Sequence, residues 1–474
     1  MSTAVRSVMP LLISLGLLPA VQAQATKAEI FGIVRDPWGL PVPGSTVNLT
    51  DTGTGVNFSL DTDPQGSYHF SALTPGNYSL NVSKPGFANL RRAGIVLRVG
   101  DQTNLDFALT VGAASESIEV TAAAPLLQVT RGTVSFTVEQ NKIVTLPLDG
   151  RNFVPLLALS PGVNLPPGSV LPRFNGSRPR TSEYIYDGIS VLQPEPGQVA
   201  FYPIVDAIQE FRVETNSPSA EYGRSNGGVI MVNQKSGTNS LHGTLFEFLR
   251  NEKLNARNLF ATTGAKPRFR RNQYGFVLGG PVQKNKTFFF MDWQGTRLDT
   301  GVVRTSTVPT SAQRNGIFTQ SIFDPRSTAQ TPSGYVRTQF TANAVPITAF
   351  DPAALAVLNR YPTPNVFNGV NEATANNYRR VGSDKTAQDQ FDTRIDRYFG
   401  SKQKVFARYT YLRDDSSPAT PLPDGSGTFT AAFIGKTLTR ADSFVGEHSW
   451  NLAPTSVNQI RFGFTRRGFN RSSL

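Results

Sequence analysis

The chain has 474 residues, of which 39% are hydrophobic and 17% are charged, as in folded rather than disordered proteins. Cysteine is absent, which excludes disulfide bonds, thiol nucleophiles and cysteine-ligated metals. The formal net charge of +12 comes from Lys and Arg interspersed with Asp and Glu, so it favours a solvated polar surface over a nucleic-acid-binding one.

The first residues have the pattern of a signal peptide. Arg6 precedes a short apolar segment at residues 11–18, and Val21-Gln22-Ala23 is typical of a cleavage site. We therefore expect residues 1–23 to be removed during export. This segment is shorter than the roughly 20 residues of a transmembrane helix, and no later stretch is apolar for about 18 residues. Any membrane span of the mature chain is therefore expected to be a β-barrel.

Residues 26–111 predict a small β-sandwich, because short alternating segments such as Thr46-Val47-Asn48-Leu49-Thr50 are separated by Pro- and Gly-containing turns. A resemblance to the carboxypeptidase regulatory-like domain rests on the motifs Gly32-x-Val34-x-Asp36, Gly39-x-Pro41-Val42-Pro43-Gly44, Thr62-Asp63-x-x-Gly66-x-Tyr68-x-Phe70 and Leu73-x-Pro75-Gly76-x-Tyr78. The resemblance implies an immunoglobulin- or transthyretin-like sandwich without catalysis. Related folds sometimes bind carbohydrate, which makes sugar binding a family-level expectation here.

Residues 112–124 form a linker of small residues around one short β-prone stretch. A strand that adds to a partner sheet is held by backbone hydrogen bonds, so its side-chain requirements are loose. The stretch resembles a TonB box, which implies contact with the periplasmic energy-coupling protein TonB. The residues concerned are Ile118, Glu119, Val120, Thr121 and Ala122. An ordinary interdomain strand is the alternative interpretation.

Residues 125–235 resemble the plug of TonB-dependent outer-membrane receptors, and most closely the Oar-like subgroup, whose members carry the same front sandwich. The motifs are Leu146-Pro147-Leu148-Asp149-Gly150-Arg151-Asn152, Tyr184-Ile185-Tyr186-Asp187-Gly188, Asp206-Ala207-Ile208-Gln209-Glu210-Phe211 and Ala220-Glu221-Tyr222-Gly223. The resemblance implies an α+β plug. The pattern also predicts a short helix at residues 153–159 that ends at Pro161-Gly162.

No catalytic, cofactor or metal site is predicted. Gly223-Arg224-Ser225-Asn226-Gly227 matches the G-x-S-x-G motif of hydrolases, which requires a strand, a tight turn and then a helix. Residues 228–234 predict a strand instead, so we interpret Ser225 as a chance match and not as a nucleophile. His69, His242 and His448 are far apart in sequence, and the chain has no H-E-x-x-H motif.

Residues 236–474 predict the first strands of a transmembrane β-barrel. Val405, Ala407, Tyr409 and Tyr411, for example, alternate with Lys404, Phe406, Arg408 and Thr410, as expected for strands with one lipid face and one polar lumen face. Residues 298–385 are rich in Pro, Thr, Asn and Ser and predict one long extracellular loop, with a short helix at residues 351–359.

Barrels with a plugged lumen have about 22 strands, whereas residues 240–474 predict roughly seven. We therefore expect a mainly β chain with a sandwich, a plug and an incomplete barrel, cut from a longer receptor.

The resemblance implies a TonB-dependent receptor or transporter in the outer membrane of a Gram-negative-type bacterium. Its partners would be TonB, outer-membrane lipid, and a small-molecule, saccharide or peptide ligand, without nucleic acid or a cofactor. The alternative is a surface or periplasmic binding module, with a carbohydrate-binding sandwich and no transport.

Overall fold

The computed structural model describes residues 27–112, 117–121, 133–193, 197–219, 221–223, 226–256, 266–425, 435–453 and 456–472. The predicted signal peptide, Ala122 and Ser225 lie outside these residues. Among the described residues, no helix has both the length and the apolar character needed to cross a bilayer.

Nine strands build the N-terminal sandwich. They are β1 (Ala28–Arg35), β2 (Thr46–Asp51), β3 (Asn57–Asp61), β4 (Ser67–Leu73), β5 (Gly76–Ser83), β6 (Asn89–Leu97), β7 (Gln102–Asn104), β8 (Phe107–Ala108) and β9 (Ser117–Thr121). One sheet has the order β4-β1-β7 with β8 also on β1, and the other has the order β3-β2-β5-β6-β9. Alternate residues of β1 and β2 are buried, so one face of each sheet forms the core.

The turn before β4 requires glycine. Gly66 has a φ of +69°, and a Cβ at this position would lie 2.7 Å from the carbonyl oxygen of Val34. A side chain would therefore be strained by the backbone angle and would also clash. This explains why the Thr62–Phe70 motif contains a glycine at this point.

The second unit is a mixed five-stranded sheet of order β10-β15-β16-β13-β14, which we call the mixed sheet. Its strands are β10 (Val134–Glu139), β13 (Glu183–Tyr186), β14 (Ile189–Ser190), β15 (Ile208–Asn216) and β16 (Val229–Gln234), with a separate pair, β11 (Val163–Asn164) and β12 (Arg173–Phe174). Helix α1 (Gln140–Thr145) and 3-10 helices at Val154–Leu159 and Val205–Ala207 cover it. Every residue of β13 and β16 is buried, so both faces of the sheet centre are covered.

Seven long antiparallel strands follow one another in a third sheet, which we call the wall sheet. They are β17 (His242–Asn251), β18 (Phe269–Gln283), β19 (Thr287–Ser306), β24 (Tyr378–Phe399), β25 (Gln403–Ser417), β26 (Lys436–Ala453) and β27 (Ser456–Ser472). Short turns at residues 284–286 and 400–402 join strands at one end, and the long connections lie at the other. The prediction of a mainly β chain with an open sheet like part of a barrel is confirmed.

The predicted loop at residues 298–385 is shorter in the structure. Strands β19 and β24 stay paired as far as Ser306 and Tyr378, so the connection covers residues 307–377. The sequence did not predict these strand ends, because residues 298–306 and 378–385 lack the alternation of apolar and polar residues that marks the rest of the two strands. The connection contains the helices α2 (Ser311–Arg314) and α3 (Pro352–Leu358), the hairpins β20 (Ala329–Thr331) with β21 (Gly334–Val336) and β22 (Phe367–Asn368) with β23 (Asn371–Glu372), and 3-10 turns at Pro325–Ser327, Thr341–Asn343 and Ile347–Ala349.

Candidate functional site

The two faces of the wall sheet differ in polarity. Outward side chains on several of its strands are apolar and solvent-facing: Ile395 of β24 is 52% exposed, and Ile460 and Phe462 of β27 are 60% and 65% exposed. The residues that alternate with them turn toward the mixed sheet and include buried charged groups such as Arg394 and Arg408. Buried charges are costly unless they are paired, so this inward face is the candidate functional region of the sheet.

Asp187 lies at the centre of the contact between the two sheets. The turn between β13 and β14 gives Asp187 and Gly188 positive φ angles of 47° and 88°, as in a two-residue hairpin turn. The Asp187 carboxylate accepts a hydrogen bond from the backbone N–H of Gln234 at 3.0 Å. It also lies 3.3 Å from Nη1 of Arg394 and 3.5 Å from Nη1 of Arg408, on β24 and β25. The hairpin is therefore tied to two wall strands by one carboxylate.

The two arginines have further partners. Arg394 donates from Nε and Nη2 to both carboxylate oxygens of Asp396, at 2.8 and 3.0 Å. Arg408 lies over the ring of Tyr186, 3.8 Å from its centroid, in a cation–π contact. Removing one member of this network is expected to be strongly destabilising, because its partner would be left as a buried charge with no opposite charge beside it.

A second connection joins the same hairpin to β26 and β27. Arg461 donates from Nε to Glu447 at 2.7 Å and from Nη1 to the carbonyl oxygen of Gly188 at 3.1 Å. A Cβ on Gly188 would lie 2.4 Å from the Arg461 guanidinium carbon. Glycine at this position therefore permits the close approach of the arginine as well as the turn.

The front sandwich packs against the short-turn end of the wall sheet. Tyr398 of β24 makes edge contacts with Phe58 of the sandwich and with Phe288 of β19, at centroid distances of 5.9 and 6.1 Å. Lys27 is buried beside Glu447, 3.8 Å away, and over the ring of Phe406. Burial lowers the pKa of Lys27 to about 7, although Glu447 acts in the opposite direction.

The sandwich also contacts the mixed sheet. Glu210 of β15 accepts a hydrogen bond from the backbone N–H of Val99, and Arg212 donates to the carbonyl oxygen of Val99 at 3.2 Å. Burial raises the pKa of Glu210 to about 8, although the hydrogen bond from the Val99 N–H acts in the opposite direction. The sandwich thus contacts both of the other sheets.

The residues predicted to contact TonB lie elsewhere, in β9. Residues 118–121 pair in parallel with residues 90–93 of β6, and β9 is the last strand in the order of its sheet. The structure therefore does not bring them into the charged contact described above. Among the described residues, no cluster of His, Asp and Glu is arranged to hold a metal ion.

Sequence reasoning missed the charged contact, although signals for it were present. Asp187 and Gly188 end one of the plug-like motifs, and Arg394 and Asp396 flank the outward Ile395. A charged residue on either side of an apolar one in a barrel-like strand indicates a buried polar face. What it cannot indicate is which partner on another sheet the charge meets.

Two family models match the chain. The model described as an outer membrane beta barrel domain matches residues 233–474, just over half of the chain. The model described as a carboxypeptidase regulatory-like domain matches residues 29–110.

A curated relative is the TonB-dependent transporter Oar of Myxococcus xanthus, which is 29% identical over 293 residues. The match covers 59% of this chain and 27% of the relative, so the chain spans about a quarter of the length of that protein.

Similar solved structures include the outer membrane transporter YddB of Escherichia coli, at 13% identity and a TM-score of 0.42 over 68% of this chain and 37% of that one. A mutant of the ferric enterobactin receptor of Pseudomonas aeruginosa is 13% identical, with a TM-score of 0.43 over 71% of this chain and 41% of that one.

Proposed function

Because the chain belongs to the family of outer membrane beta barrel domains, we propose that it acts as a TonB-dependent outer-membrane receptor and transporter. The wall sheet is part of the barrel in the outer membrane, and the mixed sheet is the plug that occupies its lumen. The observation that carries this proposal is the ion network of Asp187, Arg394 and Arg408, which is buried between the two sheets. No catalytic step is part of this function.

The apolar outward face supports the membrane assignment. Transmembrane barrel strands alternate between lipid-facing apolar residues and lumen-facing polar ones. Phe391, Thr393 and Ile395 alternate with Asp392, Arg394 and Asp396 along β24, and the second set is buried. The short turns would then face the periplasm and the long connections the outside, as in other barrels of this kind.

TonB contact through residues 118–121 is the second part of the proposal. Strand β9 ends its sheet, so a partner strand can add to its outer edge by backbone hydrogen bonds. Alternatively, β9 leaves β6 and pairs with TonB by the edge that β6 now occupies. In the second case the sandwich competes with TonB for the same strand.

A proline scan of β9 tests this proposal and separates the two routes. Backbone N–H groups of alternate residues in a strand point to opposite edges, and proline removes one of them. The full chain in detergent micelles is titrated with the periplasmic domain of TonB, using Ile118→Pro, Glu119→Pro, Val120→Pro and Thr121→Pro. Edge addition predicts weaker binding for the pair whose N–H groups point away from β6. Competition predicts that this pair binds as the original chain does, and that affinity changes only for the pair whose N–H groups point toward β6.

Val120→Thr is the matched control, since it keeps the N–H and a β-branched side chain. We expect its affinity for TonB to stay within about twofold of that of the original chain. This is far less than the tenfold change that corresponds to about 1.4 kcal/mol of binding free energy. If all four proline variants bind TonB as tightly as the original chain does, β9 is not the TonB contact.

A further inference from the structure

Three arginines lie together on the outward face of the wall sheet, toward the end that carries the long connections. Arg413 of β25, Arg440 of β26 and Arg466 of β27 are all exposed. Leu412 and Ala441, which lie next to them along the strands, are buried on the inward face. We call the three arginines the arginine patch.

The pairing of the strands brings like charges together in this patch. Arg413 and Arg440 are direct cross-strand partners. Arg466 lies two residues along β27 from Gly468, which is the partner of Arg440 on the other side. Like charges that lie directly opposite each other destabilise a sheet. The register therefore creates a repulsion that an anion between the arginines would relieve.

The acidic side chains nearby do not neutralise the arginine patch. Asp415 is 3.9 Å from Arg413 and is shared with Lys436, which lies 3.5 Å away. Within the part of the chain that the structure describes, the other two arginines of the patch have no carboxylate within 4.0 Å. Asp442 is the cross-strand partner of one of them, but it accepts a hydrogen bond from the Tyr409 hydroxyl at 2.7 Å. The patch thus keeps a net positive charge.

The apolar outward surface of the wall sheet ends next to the arginine patch. Tyr409, Phe444 and Phe464 are exposed and form one outward row across the three strands. Arg466 lies two residues beyond Phe464 in the direction of the long connections, which is about 7 Å along the strand. Aromatic side chains are enriched where the hydrocarbon of a membrane meets water. In a membrane, the arginine patch would therefore lie at the level of the lipid head groups.

We propose that the arginine patch binds the phosphorylated head group of a membrane lipid. Arginine suits phosphate because its planar guanidinium donates two parallel hydrogen bonds to the phosphate oxygens. A phosphate between Arg413 and Arg440 replaces their repulsion with two attractions, and the acyl chains of the lipid lie along the aromatic row. The inference rests on the proposed receptor function, and it assigns a lipid partner to the outside of the barrel.

Native mass spectrometry of the full chain, released from detergent micelles, measures lipid binding directly. The probes are phosphatidic acid, diacylglycerol with the same acyl chains, and inorganic phosphate. We expect phosphatidic acid to bind more tightly than diacylglycerol by about tenfold or more, because several arginines contribute. Arg440→Gln should weaken the binding of phosphatidic acid about fivefold, the usual contribution of one basic residue near an anionic lipid surface.

Arg270→Gln is the matched control. Arg270 is exposed on the outward face of β18 at the same end of the sheet, but its cross-strand partner is Asp299, which has the opposite charge. We expect this variant to bind phosphatidic acid as the original chain does. Equal losses in Arg270→Gln and Arg440→Gln would show a general attraction between a basic chain and an anion, and would overturn the proposal. Equal binding of phosphatidic acid and diacylglycerol would overturn it as well.

Urea unfolding gives a second readout, which a purely structural arginine would not change in the same way. In neutral detergent, Arg440→Gln should unfold at the same urea concentration as the original chain or at a higher one, because it removes a repulsion. With phosphatidic acid in the micelles the order should reverse, because the lipid stabilises the original chain more than the variant. An order that stays the same in both micelles would contradict the proposal.

Two further outcomes identify what has failed. If inorganic phosphate binds as tightly as phosphatidic acid, the patch is a site for free anions and the lipid proposal fails. If the chain inserts into phosphatidylcholine vesicles but shows no preference for phosphatidic acid, only this inference fails. If the chain does not insert into those vesicles, the membrane assignment fails, and the proposed receptor function fails with it.

Discussion

Asp187 joins the mixed sheet to the wall sheet through two buried arginines. Its side chain is 3% exposed and neutralises Arg394 and Arg408 together. Asp187→Asn keeps the shape, tolerates the positive φ and can still accept the hydrogen bond from Gln234, but it removes the negative charge. We expect the free energy of unfolding to fall by about 3–5 kcal/mol, the usual cost of breaking a buried ion pair on one side.

Urea unfolding in detergent micelles, followed by tryptophan fluorescence, measures this change. Asp149→Asn is the control, since Asp149 also pairs with two arginines, Arg250 and Arg271, but has a side chain that is 72% exposed. An exposed ion pair contributes about 0–1 kcal/mol, so this variant should unfold at nearly the original urea concentration. Similar losses in the two variants would show that burial does not set the strength of the Asp187 network.

Glu210 gives the contact between the sandwich and the mixed sheet a dependence on pH. Its pKa is raised from 4.5 to about 8 by burial. Between these values the unfolded carboxyl has lost its proton while the folded one keeps it, so the folded state binds more protons. Stability contributed by this group is therefore complete below about pH 4.5 and declines as the pH rises toward 8.

Glu210→Gln should remove that decline, because the amide does not titrate and its oxygen can still accept the hydrogen bond from Val99. The difference in unfolding free energy between this variant and the original chain should grow between pH 5 and 8, with a slope of at most about 1.4 kcal/mol per pH unit. Urea unfolding at four pH values measures it. A difference that is constant with pH would mean that Glu210 is ionised in the folded chain.

At the scale of single elements, β24 allows the lipid-facing surface to be tested. Ile395 and Val381 both lie on this strand and are 52% and 79% exposed. Val381 lies in the extension that pairs with β19 at the long-connection end, which we expect to project beyond the roughly 9–11 residues that span a membrane. Ile395→Lys should cost about 2–4 kcal/mol, as for a lysine near the bilayer midplane. Val381→Lys should cost little. Unfolding from lipid vesicles compares the two, and equal costs would place Ile395 outside the hydrocarbon.

Elements governed by local chemistry were predictable from the sequence. Asp351 and Pro352 predict the start of α3, and in the structure Asp351 caps the helix by accepting from the N–H groups of Ala353 and Ala354. The 3-10 helix at Val154–Leu159 likewise lies where the chain before Pro161-Gly162 predicts a helix. These signals come from residues that are close together in the sequence, so they can be recognised without knowledge of the fold.

Features set by distant pairing were not predictable. The pairing of β9 with β6, and the extension of β19 and β24 into the predicted loop, depend on backbone bonds that leave no mark on side-chain alternation. The charged contact has the same limit: its residues come from positions 187, 394 and 408, and only folding brings them together. The TonB assignment of residues 118–122 stays a prediction.

At the scale of the whole molecule, the sandwich is attached to both other sheets by contacts of different chemistry. Phe58 reaches the wall sheet through Tyr398 and Phe288, whereas Glu210 and Arg212 meet the backbone at Val99. Because β9 belongs to the sandwich sheet, any pull on residues 118–121 acts first on this docked unit. The sandwich is therefore positioned to transmit or resist a pull on β9 before that force reaches the mixed sheet.

Phe58→Ala tests whether the aromatic contact holds the sandwich in place. Phe58 is 9% exposed in the sandwich core cluster that also contains Phe288 and Tyr398, so its loss should leave a cavity at the joint as well as in the core. We expect faster hydrogen–deuterium exchange in peptides covering residues 284–288 and 398–404, because these turns lose their cover. Phe31→Ala is the control, since Phe31 contacts His69 within the sandwich. If both variants raise exchange in the turns equally, general loosening of the sandwich explains the effect. A rise confined to Phe58→Ala means that this aromatic contact holds the sandwich against the turns of the wall sheet, and that losing the contact need not unfold the sandwich.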